Sequence, residues 1–476
     1  MSSSLKRLSK LGEGASGSVY EVDYAGKNCA LKVNFCPLNS EGSSLRELHM
    51  HKNLKHPHIL ELIGTIRGRV ELSTPISPHK MEVASKQDLV HFLYPLAKCD
   101  LFAYIDGNMK VTLEIALKWL VQLALALEYL HLSGYIHRDI KPDNVLLVEE
   151  NGELVCKVTD FGFAKYYSAH AVNSPSTGTV CYNAPECLMS LGCSQTSDIW
   201  GLGCIIKELI SGEPLASPAL ITHADVLSAY GAALPPAEYL SSPMSVRSLS
   251  TSTSPHRLLG VSSRRQDVID LVMGMLAPDP RDRLTATDIL NSHVLDEHRE
   301  FISEMRQEYT PLDPADRIVV RSARSERTYL RALIDQCSVL RDKDWYKDDS
   351  IIFSTVDLFD ILLSSRAGAK MSNEMTTIYF RVCMHVAVSN KFSIGRERVS
   401  LEGLLPASLR TPRLINQALT AREKLISLLD GMVMLYTAYD HAGSLTEMET
   451  MSLLNFVIRD TEQLTVRDLV GKWRAM

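Results

Sequence analysis

Residues 137–144, His-Arg-Asp-Ile-Lys-Pro-Asp-Asn, constrain this chain more than any other stretch. Within it, Asp139 is suited to accept a hydroxyl proton and orient a nucleophile, and Asn144 to hold a magnesium ion. Asp160-Phe161-Gly162 follows, with an aspartate able to chelate a metal that bridges phosphates, and then Ala184-Pro185-Glu186.

The N-terminal region supplies the rest of that site. Gly12-Glu13-Gly14-Ala15-Ser16-Gly17-Ser18-Val19 is a G-x-G-x-x-G-x-V, in which glycines let a hairpin backbone approach phosphates. A dinucleotide-binding loop would run from strand into helix, but Tyr20 and Val22 continue as a strand. Ala30-Leu31-Lys32 comes thirteen residues after Val19 and puts a lysine among apolar strand residues, where it needs partners. Glu47, fifteen residues further on, is the expected helix partner, and phosphates are the other. Residues 5–35, 59–66 and 89–94 read as strands, and residues 45–54 as a helix. From Leu113 onward helix-spaced apolar residues dominate, so a small β-rich lobe precedes a larger helical one.

Together these motifs resemble the protein kinase superfamily over residues 5–299, an α+β bilobal fold. The resemblance implies ATP and Mg2+ as cofactors and protein substrates. It implies catalytic roles for Asp139, Lys141, Asn144, Lys32 and Glu47, and metal ligation by Asn144 and Asp160. Gly12, Glu13, Gly14, Ala15, Ser16, Gly17, Val19, Ala30, Lys32 and Leu146 would surround the nucleotide. Leu96 and Ala97 would present backbone groups to adenine, with Pro95 lacking a donor and the register open by one residue. Asp198 is similar to the aspartate that braces the catalytic loop, and Arg283 to the arginine that pairs with Glu186. Lys141 and Thr179 imply Ser/Thr rather than Tyr specificity. Arg138 implies either docking of a phosphorylated or acidic loop residue, with Ser174 the best placed among Ser168, Ser174, Ser176 and Thr177, or a plain polar loop. The glycine loop and residues 44–60 resemble cyclin-dependent kinases. Cys181-Tyr182-Asn183 departs from that group's Trp-Tyr-Arg, so a proline-directed preference does not carry over. Ala15-Ser16 replaces its inhibitory Thr-Tyr pair.

Residues 241–256 are Ser/Thr-rich and read as a flexible insertion, and residues 300–316 as a linker. Residues 317–476 read as an all-α domain. Its apolar stripes are Leu330, Leu333, Ile334 and Cys337; Ile352, Val356, Phe359 and Leu363; and Leu425, Leu428, Leu429 and Met432. Ser444-x-x-Glu447 reads as a capping box. Residues 330–335, 355–364 and 382–392 resemble the first three helices of a cyclin box. Arg422-Glu423-Lys424 resembles the start of a later helix, and the resemblance implies that Glu423, with Lys391, contacts the kinase helix. A fused cyclin would make the kinase contact intramolecular or dimeric and the activity constitutive. The alternatives are a generic bundle that recruits partners and a pseudokinase scaffold.

Composition bounds the partners. A net charge of −6 over 476 residues argues against nucleic acid, and the arginines 317, 321, 324, 327 and 331 are interleaved with acids. Ten cysteines without a C-x-x-C pair read as free thiols in a reducing compartment, so the expectation is intracellular, cytoplasmic or nuclear. No membrane partner is expected: residues 119–129 are the most apolar run, but Gln122 and Glu128 interrupt it.

Overall fold

Short alternating segments punctuated by glycine build the first lobe. The computed structural model describes residues 6–13, 17–34, 42–67, 90–107, 111–166, 180–220, 222–233, 263–311, 329–337, 340, 350–364, 371–391, 400–429, 437, 442, 445–459, 462 and 464–476. Strands β1 (Lys6–Glu13), β2 (Gly17–Tyr24), β3 (Lys27–Asn34), β4 (Gly64–Arg67) and β5 (Val90–Pro95) form an antiparallel sheet ordered β1-β2-β3-β5-β4. One face is sealed by Tyr20, Val22, Leu31, Val33 and Leu93. Helix α1 (Gly42–Asn53) follows β3. A Cβ on Gly17 would sit 2.4 Å from the Val33 carbonyl oxygen, so close pairing with β3 requires glycine there.

The second lobe is built on α3 (Leu113–Leu132), reached through β6 (Cys99–Asp100) and α2 (Leu101–Asp106). Helix α3 is long and apolar enough to cross a membrane, but it runs buried through the lobe as the expected core helix. Its two polar interruptions are satisfied: Gln122 accepts from the Cys156 amide at 2.9 Å, and Glu128 accepts from Arg306 at 2.6 and 2.7 Å. Strand β7 (Tyr135–Ile136) pairs with β10 (Lys165–Tyr166), while β8 (Val145–Glu150) lies between β6 and β9 (Glu153–Val158). Helices α4 (Pro185–Leu188), α5 (Gln195–Ser211), α6 (His223–Ala233), α7 (Ser263–Met275) and α8 (Ala286–Leu290) complete the lobe. Cys187 and Cys193 are joined by a disulfide, which corrects the free-thiol expectation for that pair; their Cα atoms are 5.2 Å apart across the tight turn after α4.

The expected linker from 300 opens differently. Residues Arg299–Glu308 form helix α9, whose Ile302 is buried in the second lobe's core and whose Arg306 holds Glu128. Tyr309 then meets His56 with ring centroids 5.3 Å apart, and Phe301 meets His58 at 6.1 Å. The kinase-like unit therefore extends beyond 299, and the chain leaves it beside residues 56–58, just past α1. The insertion 241–256 lies outside the described residues.

The C-terminal region is helical: α10 (Leu330–Asp335), α11 (Ser350–Ser364), α12 (Asn373–Lys391), α13 (Leu401–Leu404), α14 (Pro412–Leu429), α15 (Glu447–Arg459) and α16 (Val466–Arg474). The first two stripes read from sequence are buried, and Phe359 meets Phe380 edge-on at 5.5 Å. Of the third stripe Leu425 is buried; Leu428, Leu429 and Met432 lie outside the described side chains. The capping box forms two residues later than expected: Thr446 caps α15 and Glu449 returns to the Thr446 amide at 2.8 Å. Both pairs satisfy the same spacing, and the helix start selects the second. Helix α12 packs against α1, and Leu48, Leu60, Val90, Phe92 and Tyr94 share one apolar cluster with Phe353, Phe359, Phe380 and other C-terminal residues.

Candidate active site

The cleft between the lobes gathers the residues singled out above. Lys32 projects from β3 and donates to both Glu47 oxygens at 2.8 Å, with Asp160 Oδ1 at 3.5 Å. Burial works against the Lys32 charge, but Asp160 and Glu47 outweigh it and hold the ammonium above its ordinary value. Burial raises the Glu47 carboxyl against the opposing pull of Lys32. In Asp160 the Lys32 charge prevails and lowers the pKa. Asp160 is left-handed, with φ 60°, and its carboxylate caps the turn of Phe161–Phe163 through Gly162. A carboxylate beside a paired ammonium stays ionised, as a cation ligand must.

The catalytic-loop residues are braced from below. Asp198, buried on α5, accepts the backbone amides of His137 at 2.9 Å and Arg138 at 2.8 Å, and contacts the His131 ring at 2.9 Å. This holds Arg138 in the left-handed region, φ 69°. Gly201 in α5 admits the same loop: a Cβ there would lie 2.6 Å from the Ile140 carbonyl oxygen. Asn144 donates its amide to the Asp139 carbonyl and carboxylate, both at 2.8 Å, and Lys141 Nζ is 3.1 Å from Asp139 Oδ2. Burial pushes the Asp139 carboxyl up, with Lys141 opposing. Arg283, stacked 5.1 Å over Trp200, grips Glu186 with two hydrogen bonds of 2.7 and 2.9 Å, as the sequence implied.

The expected nucleotide contacts divide. Gly12 and Val19 face each other across β1 and β2, and the position a Gly12 side chain would take is open space. Glu13 ends β1 and Gly17 opens β2; Gly14, Ala15 and Ser16 lie outside the described residues. Ala30 pairs with Tyr94 in the sheet, and Ala30, Leu96, Ala97 and Leu146 are all half-buried. Thr179, Ser168, Ser174, Ser176 and Thr177 lie outside the described residues, as do the side chains of Lys391, Glu423 and Lys424. Arg138 donates from Nε to the Phe163 carbonyl at 2.7 Å, tying the loop to the Asp160 turn.

The donor set fits a hard cation shared with phosphates. Asp160 and Asn144 are a carboxylate and an amide, and among the described residues no group of three or more His, Cys, Asp or Glu could hold a metal. Mg2+ suits such a site, because it takes one or two protein oxygens and fills its remaining positions from phosphates and water.

Two functional neighbours escaped sequence reading. Tyr94, read from the sequence only as the end of a strand, donates to Glu47 at 2.8 Å, and His51 stands 3.0 Å from the same hydroxyl. The only available signal was a histidine one helical turn after Glu47. Behind the Asp160 turn, His51 meets Phe161 edge-on at 5.3 Å, and Phe161 meets His137 at 5.1 Å.

Comparison with known proteins agrees with this geometry. Residues 5–295 match the protein kinase domain family. Protein kinase MCK1 of Saccharomyces cerevisiae is 30% identical over 333 residues, covering 64% of this chain and 80% of that protein. The cyclin-dependent kinase 4 homolog of Caenorhabditis elegans is 31% identical over 214 residues, covering 43% and 49%. Serine/threonine-protein kinase atg1 of Dictyostelium discoideum is 30% identical over 217 residues, covering 43% and 30%. The chain thus spans half or less of the length of the last two relatives. With the family match extending over most of the chain and Lys32, Glu47, Asp139 and Asp160 gathered in one cleft, this protein belongs to the protein kinase family.

Proposed function

We propose that this chain is a Ser/Thr protein kinase that transfers the ATP γ-phosphoryl group to protein Ser and Thr hydroxyls. Its own C-terminal domain, cyclin-like in sequence, holds helix α1 in the active position. The observation that carries the reading is the Lys32–Glu47 pair beside Asp160, formed with α12 seated on α1.

Bound ATP supplies the phosphoryl group, and Mg2+ offsets the charge on its phosphates. Lys32 orients those phosphates and is itself held by Glu47. Asp160 and the Asn144 amide oxygen hold the cation. Asp139 accepts the hydroxyl proton and aims the nucleophile, while Lys141 neutralises the transferring group. Selection of Ser and Thr rests on Lys141 standing two residues after the base. Three relatives are cyclin-dependent kinases by name, from Caenorhabditis elegans, Xenopus laevis and Oryza sativa, which supports a cyclin-like activator at α1.

The contact is best read as intramolecular. Tyr309 leaves the second lobe against His56, so the chain already lies near α1 when it departs. Tethering at this range gives an effective concentration on the order of mM. The test compares Mg-dependent transfer by the full chain, by a chain ended after residue 311, and by full-length Asp139→Asn. Transfer by the full chain, loss in Asp139→Asn and a large fall in the shortened chain are expected. Equal transfer by the shortened chain would reassign the helical domain to recruitment, and no transfer by any form would restore the scaffold reading.

A further inference from the structure

We infer that Tyr94 and His51 are positioning residues for the Lys32–Glu47 pair: a one-way hydrogen-bond chain from His51 through the Tyr94 hydroxyl to Glu47 sets the carboxylate that holds the lysine. The inference rests on the kinase reading and adds residues that the family motifs do not include.

Proton counting gives the direction. Both Glu47 oxygens accept from Lys32 at 2.8 Å, and a carboxylate has no proton to donate. The single phenol proton of Tyr94 therefore goes to Glu47 Oε1 at 2.8 Å. The phenol oxygen can then only accept from His51 Nε2 at 3.0 Å, which places the imidazole proton on Nε2. Among the described residues His51 Nδ1 meets no group at full hydrogen-bonding geometry, although the Leu60 backbone also acts on the ring. Burial and the Lys32 charge outweigh the favourable Leu60 backbone and hold the His51 pKa down to about 3, so the ring is neutral at ordinary pH.

The placement gives the chain leverage. Glu47 and His51 lie one turn apart on α1, while Tyr94 lies on β5. All three are buried, so none can exchange its partner for water. The Tyr94 hydroxyl ties α1 to the sheet at the point where the lysine pair forms. His51 also touches Phe161, so the position of α1 and that of the Asp160 turn meet at this one ring.

The test measures steady-state transfer by full-length Tyr94→Phe, His51→Leu and His51→Gln, alongside the ring-nitrogen shifts of His51 in the wild type. Tyr94→Phe and His51→Leu should each lower kcat by about tenfold, with the KM for protein substrate unchanged. His51→Gln keeps an N–H donor and should stay within about threefold of wild type. A purely apolar packing role predicts the reverse order, with Leu tolerated and Gln damaging. The ring shifts should report the Nε2–H tautomer, whatever the fate of the variants. An active wild type beside a fully active Tyr94→Phe, or an Nδ1–H tautomer, would overturn the proposal. A wild type without transfer would sink the kinase reading and the positioning role together.

Discussion

Asp139 and Asp160 share a cleft, yet their surroundings push them apart. Burial raises Asp139, and Lys32 lowers Asp160. The first can then act as a base whose proton affinity exceeds that of a free aspartate, while the second stays ionised for a cation. Because the base must be deprotonated, kcat should fall as the pH drops through the raised Asp139 value. Lys141 opposes that rise, so Lys141→Ala should move the acid limb to still higher pH. A pH–rate profile checks this, and an unmoved limb in the variant would refute the assignment. Gly201→Ala is the matching steric test: its Cβ meets a backbone carbonyl, so we expect a cost of about 1–3 kcal/mol by thermal unfolding and a large loss of transfer. What was legible at this scale was local. Asp139, Asn144 and Asp160 announce themselves through spacing, whereas the Tyr94–His51 contact joins positions 43 residues apart through a turn of helix and a strand register. No short-range pattern encodes such a meeting.

At the level of elements, α9 and α12 carry packing contacts that lie beyond the family match. Glu128 is buried in α3 and depends on Arg306 of α9, with Thr287 donating to it at 2.6 Å. Arg306→Ala should destabilise the protein by about 2–4 kcal/mol in urea unfolding, since it leaves a buried carboxylate without its cation. An effect below about 0.5 kcal/mol would mean that water reaches Glu128 freely. At the other contact, Leu48 is buried in the cluster shared by α1 and the C-terminal helices. Leu48→Asp should therefore lower transfer by the full chain far more than by the chain ended after 311, and equal losses would count against the activating role of α12. The sequence marked the C-terminal region as helical by periodicity, but it showed neither α9 nor the docking of α12. Helix α9 was taken as linker because its residues are mostly polar, with Ile302 as the buried anchor. The α15 cap was displaced because two overlapping Ser/Thr-x-x-Glu pairs compete and only the helix start decides between them.

Across the whole molecule, buried histidines should set the acid limit of stability. Burial lowers His51 and His56 to about 3 and His58 to about 4. In the unfolded chain each titrates near its ordinary value of about 6.5. Between those values the unfolded state binds more protons, so stability is full above about pH 6.5 and is withdrawn on acidification toward 4. Urea midpoints at pH 7 and pH 5 should differ clearly in that direction, and a midpoint that holds or rises at pH 5 would contradict neutral, buried rings. His51 stands on α1, where the first lobe and the C-terminal helices meet, and His56 lies just past it against Tyr309.

That meeting has a temporal side. Helix α1 is complete once residue 53 has been made, but the helix that covers its apolar face begins at Asn373. At a synthesis rate of roughly 5–20 residues per second, the growing chain carries an uncovered α1 for about 15–65 seconds. During that interval the first lobe offers a sticky patch to chaperones and to neighbouring ribosomes, and the Glu47-bearing helix lacks its lateral support. On the activating role proposed for α12, a ribosome-bound chain stalled before residue 373 would be a folded but idle enzyme, and competence would arrive only near the end of translation.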